Sequence, residues 1–543
     1  MAGSPPLTLV AAGNRCEQAA PVELSLISID RNLILKSLFA PRRPIEHSGD
    51  EGSWAPLRKS GRPIRGAAMK RWLPALYLAM AGCAQLPQDL PARPAMKTPQ
   101  VAAAIASSTH QATRDVDAHP VAGPWWRAFG VAELDRLIET ALKDAPDLDA
   151  ARARVRVAGE AERLARLNGQ VQYATDASIV RERLSKNGLF PPPIGGSTFT
   201  QTEITQTLSY ALDWWGRNRS LVRAAGNERQ AANDELAAVR LAVAAAVADA
   251  YFAGADVEAR LEIARALRED HRKEYDLLKA RHDLGLDSVQ PVIDARKRLD
   301  EDEDRIGGLE YLARSLRYRL SALTGADPDH AADLPAPRLA ARPPSLPGRL
   351  PLDWLARRPD VAALRSRVDA AADRSAAAKA DFYPNLDLRM MVGLDTLDLG
   401  KLLQAGSLTA SIGPALHLPI FNGGTLRAKL GMREADYAAA VAAYNRTVLD
   451  AARQAADAYA LIASLDLRGE AQRQALQKTE QTRDLAEQRR TLGLASPLDA
   501  LEADSAVLGE RMNDIEIQAA RLRARVALFK ALGGDAPLKD PAP

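Results

Sequence analysis

Apolar residues first recur at helical spacing from about 147 to 168, where Leu148, Ala151, Val155, Ala158 and Ala161 share one face. The period then shortens to two. Val171, Tyr173, Thr175, Ala177 and Ile179 alternate with Gln172, Ala174, Asp176, Ser178 and Val180, and Phe199 to Asp213 is Thr-rich with the same alternation. With the turn-rich stretch between them, these segments predict a pair of strands. A helical pattern returns and runs without proline from about Leu221 to Arg281, which at ~1.5 Å per residue predicts a helix roughly 90 Å long. A turn at Gly285 and a return helix reaching Leu323 close the series.

The whole order then repeats. The segment LSYALDWWG at 208–216 aligns with LHLPIFNGG at 416–424, a shift of 208 residues. The same shift carries Asp249-Ala250-Tyr251 onto Asp457-Ala458-Tyr459, Leu284-Gly285-Leu286 onto Leu492-Gly493-Leu494, and Gly325 onto Gly533. Upstream, Pro146-Asp147-Leu148 matches Pro359-Asp360-Val361 at a slightly larger shift. In the second copy Leu386, Leu388, Met390 and Val392 alternate with Asp387 and Arg389, Leu408, Ala410 and Ile412 alternate with Thr409 and Ser411, and a proline-free helix follows from about Thr425 to Arg490. The chain is therefore expected to hold repeat 1 at 146–333, a Pro-rich linker at 334–358, repeat 2 at 359–533 and a tail at 534–543. Each return helix is about half as long as its outgoing partner, so the medium helices at 147–168 and 360–380 are expected to cover the remaining apolar stripe. The predicted class is mainly α with β: two long helical hairpins and four strands per chain.

Composition supports helices packed side by side: aromatics are 5% of residues, too few for an ordinary globular core of this length. The net charge of +3 is misleading, because residues 1–82 hold 11 Lys and Arg against 6 Asp and Glu. The remainder is slightly acidic and carries no basic patch, which argues against a nucleic-acid partner. Within that leader, Met69-Lys70-Arg71 is a short basic start, Trp72 to Ala81 an apolar stretch, and Ala81-Gly82 a small-residue approach to Cys83. That is a secretory signal at 69–82, too short to span a bilayer. Residues 1–68 are expected to be an upstream extension, with translation beginning at Met69. Cys16 lies ahead of the signal, so Cys83 would be the sole cysteine of the mature chain and no disulfide framework is expected. Residues 83–145 then form an amino-terminal segment leading into a collar.

Four strands cannot close a barrel, and in lipid every backbone polar group must be satisfied by closure. Three chains contributing four strands each would give twelve, an even number wide enough for a pore, continued by the long helices as a tube.

Several segments, in order, bear a family resemblance: WWRAFG at 125–130, LSYALDWWGR at 208–217, ADFYPN at 380–385 and PIFNGG at 419–424. The stretch from 83 to 533 resembles the TolC-like outer-membrane efflux proteins, in particular their NodT-type lipoprotein branch. The resemblance implies a homotrimeric twelve-stranded barrel continued by a periplasmic helical tunnel. It implies lipidation at Cys83, with Ala84 favouring the outer membrane, and a tripartite pump completed by a periplasmic adaptor and an inner-membrane RND-type transporter. It also implies that the tips Gly285, Leu286, Ser288 and Gly493, Leu494, Ser496 meet the adaptor. Asp499 and Glu502, three apart on one helix face, align with an acidic ring at the periplasmic constriction, although Glu502 stands where Asp is more usual. Trp214, Trp215 and Phe421 are expected to anchor the strand-to-helix junctions at the membrane interface, and Trp125 and Trp126 to pack a collar.

Catalytic constellations are missing from the sequence. The histidines are scattered away from ligand spacing, and neither a phosphate loop nor a nucleophile elbow occurs, so no enzyme, metal or cofactor is expected. Two alternatives remain: the outer channel of a type I protein secretion system, against which Cys83 argues, and a non-porous periplasmic helical scaffold, against which the paired strands argue.

Overall fold

A computed structural model describes residues 86–87, 92–97, 124–339 and 357–534. The leader at 1–68, the signal, Cys83, most of the Pro-rich linker and nearly all of the tail lie outside the described residues. After a short 3-10 turn at Trp125–Phe129 come α1 (Ala132–Asp144), α2 (Pro146–Asn168), β1 (Gln172–Arg183), β2 (Thr198–Leu212), α3 (Arg217–Asp283) and α4 (Gln290–Leu323). The second half follows with α5 (Pro359–Ala380), β3 (Asn385–Thr396), β4 (Leu408–His417), α6 (Gly423–Thr491) and α7 (Pro497–Ala531). The repeat is thus explicit in the fold: α3 and α6 have 67 and 69 residues, α4 and α7 have 34 and 35.

Helices this long hold together through small residues that let their backbones approach. In the first hairpin, Val257, Leu261 and Ala264 of α3 pack against Ile306, Leu309 and Ala313 of α4. In the second, Tyr459, Ile462 and Leu465 of α6 pack against Ala524 and Leu528 of α7. The medium helices cover the halves that the return helices leave open. Gly226 on α3 faces Glu162 on α2, and Ala378 and Phe382, at the end of α5, pack against Leu426 and Leu430 of α6. The α5 helix also reaches the other repeat, where Arg367 pairs with Glu235 and Arg374 with Glu228 of α3.

One cluster ties both halves together at mid-height. Trp125 and Phe129 pack with Leu134, Ile138 and Leu148 onto Val247, Tyr251 and Phe252 of α3 and onto Leu522 and Val526 of α7. Trp125 stacks on Phe529 at 5.5 Å, and Phe129 lies 5.1 Å from Phe252. Trp125, expected to pack a collar, is buried in this cluster at 2% exposure. Burying a side chain of this size is worth several kcal/mol, roughly 25 cal/mol per Å² of apolar surface.

The four strands form one antiparallel sheet in the order β1-β2-β3-β4. Register is decisive here, because directly paired residues share a face. Tyr173 pairs with Leu208, and Leu208 pairs with Met390, which pairs with Ile412. That face continues through Ile204, Leu394 and Leu408; it is apolar along nearly all of β3 and β4, whereas β1 and β2 interleave Thr175, Thr202 and Gln206 with their apolar residues. The opposite face carries Asp176, Glu203, Arg389, Asp395 and Ser411. Among the described residues no strand lies beside the outer edge of β1 or β4, and β1 is exposed along its full length.

Candidate functional site

Three places are candidates: the sheet, the hairpin tips and the acidic pair after the second tip. The sheet is mainly apolar on one face, most completely in β3 and β4, and mainly polar on the other, as expected of a wall between lipid and water. Its strands of 12, 15, 12 and 10 residues are long enough to cross a hydrocarbon core. Gly393 sits at the tightest β2–β3 approach, where a Cβ would lie 2.5 Å from the Ile204 carbonyl oxygen.

At the junctions between sheet and helices, Trp215 stacks on Tyr383 at 4.5 Å and donates its indole N–H to the Pro384 carbonyl at 2.9 Å. Trp214 and Phe421 project outward, Phe421 at 97% exposure. Asp213 accepts from the backbone N–H groups of Asn218 and Arg219, which caps the start of α3.

The tips are built alike. Gly285 and Gly493 have φ of +75° and +72°, a left-handed conformation in which an L side chain is strained. At the first tip the Leu286 N–H reaches the Arg281 carbonyl at 2.9 Å and the Gly285 N–H reaches His282 at 2.7 Å. At the second, Leu494 reaches Arg489 at 2.8 Å and Gly493 reaches Arg490 at 3.0 Å. Both are Schellman closures that satisfy the last carbonyls of a long helix. The glycine positions leave room, since a Cβ on either would meet nothing within 4 Å. Leu284, Leu286, Leu492 and Leu494 are all between 66% and 75% exposed, so each tip displays two leucines to its surroundings.

The serines differ. Ser496 is the N-cap of α7, and its hydroxyl accepts from the Asp499 N–H while the Asp499 carboxylate accepts from the Ser496 N–H at 2.8 Å. Asp499 therefore serves a capping box, a task the sequence signalled through a serine three residues ahead of an acid. Glu502 is exposed one turn further along α7. Ser288 has no such role, because α4 begins without a side-chain cap. The first tip is held instead by Arg281, whose guanidinium donates to both Asp287 oxygens at 2.6 and 3.1 Å. Above that tip, His271 and the buried Asp302 meet between α3 and α4 at 2.5 Å. Among the described residues no group of three or more His, Cys, Asp or Glu side chains could hold a metal ion.

Residues 137–326 and 350–534 each match the family described as Outer membrane efflux protein, and the two matches end 208 residues apart, the internal repeat itself. The chain belongs to the outer membrane efflux protein family. It is 31% identical over 469 residues to the multidrug resistance outer membrane protein MdtP of Escherichia coli K12, covering 84% of this chain and 94% of MdtP. It is 35% identical over 367 residues to the fusaric acid resistance protein FusA of Burkholderia cepacia, covering 66% of this chain and 68% of FusA. Among solved structures, the outer membrane protein VceC of Vibrio cholerae superposes with a TM-score of 0.69 at 32% identity, over 76% of this chain and 99% of VceC. Membership places the chain in the outer membrane as an efflux protein and assigns it transport rather than catalysis.

Proposed function

We propose that this chain is the outer-membrane channel of a tripartite efflux pump, a passive homotrimeric conduit for small toxic compounds. The observation that carries the reading is the four-stranded sheet, with one face mainly apolar, the other mainly polar, and β1 and β4 at its two edges. Lipid tolerates no unpaired edge, so β1 of one protomer pairs with β4 of the next, and three sheets close a twelve-stranded barrel. The polar face lines the lumen. Directly beneath the free edges, Val157, Leu164 and Leu167 of α2 and Met432 of α6 are exposed apolar residues suited to continuing the same seam along the helices.

The helical hairpins carry the conduit across the periplasm. The paired leucines at Leu286 and Leu494, with Gly285 and Gly493 and the adjoining Ser288 and Ser496, receive a periplasmic adaptor. An inner-membrane RND-type transporter supplies the energy. Asp499 and Glu502 of three protomers gather near the tunnel's end and favour cations there. Cys83 carries the lipid that holds the amino terminus in the outer membrane.

The test is the native mass of protein extracted in detergent from outer membranes. A particle with three times the mass of the mature chain supports the shared barrel. A monomer removes the only closure available to four strands and overturns the reading. Docking is tested separately: Leu286→Asp with Leu494→Asp abolishes drug tolerance in cells while the trimer persists.

A further inference from the structure

The two halves bury one carboxylate each at the same height, and they satisfy it differently. In repeat 1 the acid is Glu162 on α2, held by Arg166 one turn along and by Arg229 of α3 at 3.0 Å. Shifting by the offset of the medium helices, 147 to 360, places Ser375 where Glu162 stands and Lys379 where Arg166 stands. Shifting by 208 places Glu434 where Gly226 stands and Tyr437 where Arg229 stands. The acid has therefore crossed from the medium helix to the long one, and the arginine that reached it from the long helix has become a tyrosine. Glu434 is buried, at 6% exposure, with Lys379 at 3.1 Å and the Ser375 hydroxyl donating to it at 2.6 Å.

The missing cation comes from elsewhere in the chain. Arg93, in the extended segment 92–97, donates to both Glu434 oxygens at 3.1 Å and to Ser375 at 3.0 Å. Its guanidinium lies 4.6 Å from the centre of the Tyr437 ring, over the residue that replaced the arginine. Eleven residues further along α6, Asn445 accepts from the Lys97 N–H at 2.7 Å and donates to the Ala95 carbonyl at 3.1 Å. A bidentate guanidinium–carboxylate pair sets which residue is read, and the amide pair fixes the backbone register.

We propose that Glu434, Ser375, Lys379, Tyr437 and Asn445 form an arginine socket on the α5–α6 face that recognises this chain's own amino-terminal segment through Arg93, fastening the anchor to repeat 2. The fastening role rests on lipidation at Cys83; the socket itself does not. Distances agree with the role. Ten residues separate Cys83 from Arg93, a reach of at most roughly 33–36 Å. Glu434 lies eleven residues into α6, about 17 Å below its start under the sheet. The tether can thus return to membrane level with slack.

The experiment compares hydrogen exchange of residues 92–97 in the detergent-extracted protein for wild type, Arg93→Ala, Tyr437→Arg and the double variant. Arg93→Ala is expected to speed exchange of the segment roughly tenfold or more. Tyr437→Arg returns an arginine to the position of Arg229, here three residues from Glu434 on the same helix, and is expected to evict Arg93 and free the segment while the thermal midpoint holds. In the double variant the segment stays free and the midpoint lost in Arg93→Ala returns. Unchanged protection in Arg93→Ala or in Tyr437→Arg overturns the socket. The comparison is repeated in Cys83→Ser, where wild-type protection is expected; its loss there overturns the socket by showing that lipid holds the segment. Mass spectrometry of Cys83 decides lipidation independently of either result.

Discussion

The two hairpin tips reach the same backbone turn and secure it by different chemistry. Both close on a left-handed glycine with matching hydrogen bonds and matching pairs of exposed leucines. Around that common frame the first tip uses the Arg281–Asp287 pair, and the second uses the Ser496–Asp499 capping box. The reason lies in single residues: Asp287 has Ala495 as its counterpart, and Asp499 has Pro291. What stays alike across the repeat is the surface a partner would meet twice. What diverges only stiffens the turn.

That comparison can be broken most forcefully by moving from the tips to the other helix ends. Gly325 also has a positive φ, of 80°, but a Cβ there would lie 2.5 Å from the Asp144 carbonyl oxygen. Gly325→Ala is expected to cost about 3 kcal/mol or more, against about 1–2 kcal/mol for Gly285→Ala and Gly493→Ala, where only backbone strain acts. Chemical denaturation measures all three, and unequal costs at the two tips would undo their equivalence.

Acid titration sharpens the contrast between the halves. Burial pushes the Glu434 carboxyl up, but hydrogen bonds from Arg93, Ser375 and Lys379 outweigh it and bring it down to about 2. A carboxylate lowered on folding contributes fully above its ordinary pKa, near 4.5, and loses that contribution as pH falls toward 2. Stability of wild type is therefore expected to fall between those values more steeply than that of Glu434→Gln, as followed by thermal midpoints.

Smaller effects separate the tips themselves. Asp499→Ala removes the capping box and is expected to cost about 1 kcal/mol, with faster amide exchange confined to the first turn of α7. Arg281→Ala is expected to change least. It removes a half-buried pair near the surface, seen as faster exchange at 284–288 alone, and leaves the second tip untouched.

Much of this architecture was legible in the sequence because it is periodic. The 208-residue shift, the change from a helical to a two-residue period, and the glycines at 285 and 493 all report local backbone geometry. Alternation marked which residues of each strand share a face, and the pairing respects it, since a slip of one residue would turn Leu388 and Met390 toward the polar face. The Arg93 contact was not legible. Its partners lie 282 and 341 residues away, and the acid it meets has changed helices relative to its counterpart. Asp499 shows a different limit: one carboxylate can cap its own helix, as the Ser496 pattern signals, and still lie on the helix face it shares with Glu502.

The unbroken length of α3 has a mechanical consequence. From Tyr251 in the mid-height cluster to Gly285 at the tip are 34 residues of nearly continuous helix, a lever of about 51 Å. A tilt of about 10° about that fulcrum carries the tip by about 9 Å, with each helical turn shifting only slightly against its neighbour. A small adjustment at the waist would thereby be amplified into a large displacement of the tip, without any helix having to bend or unwind.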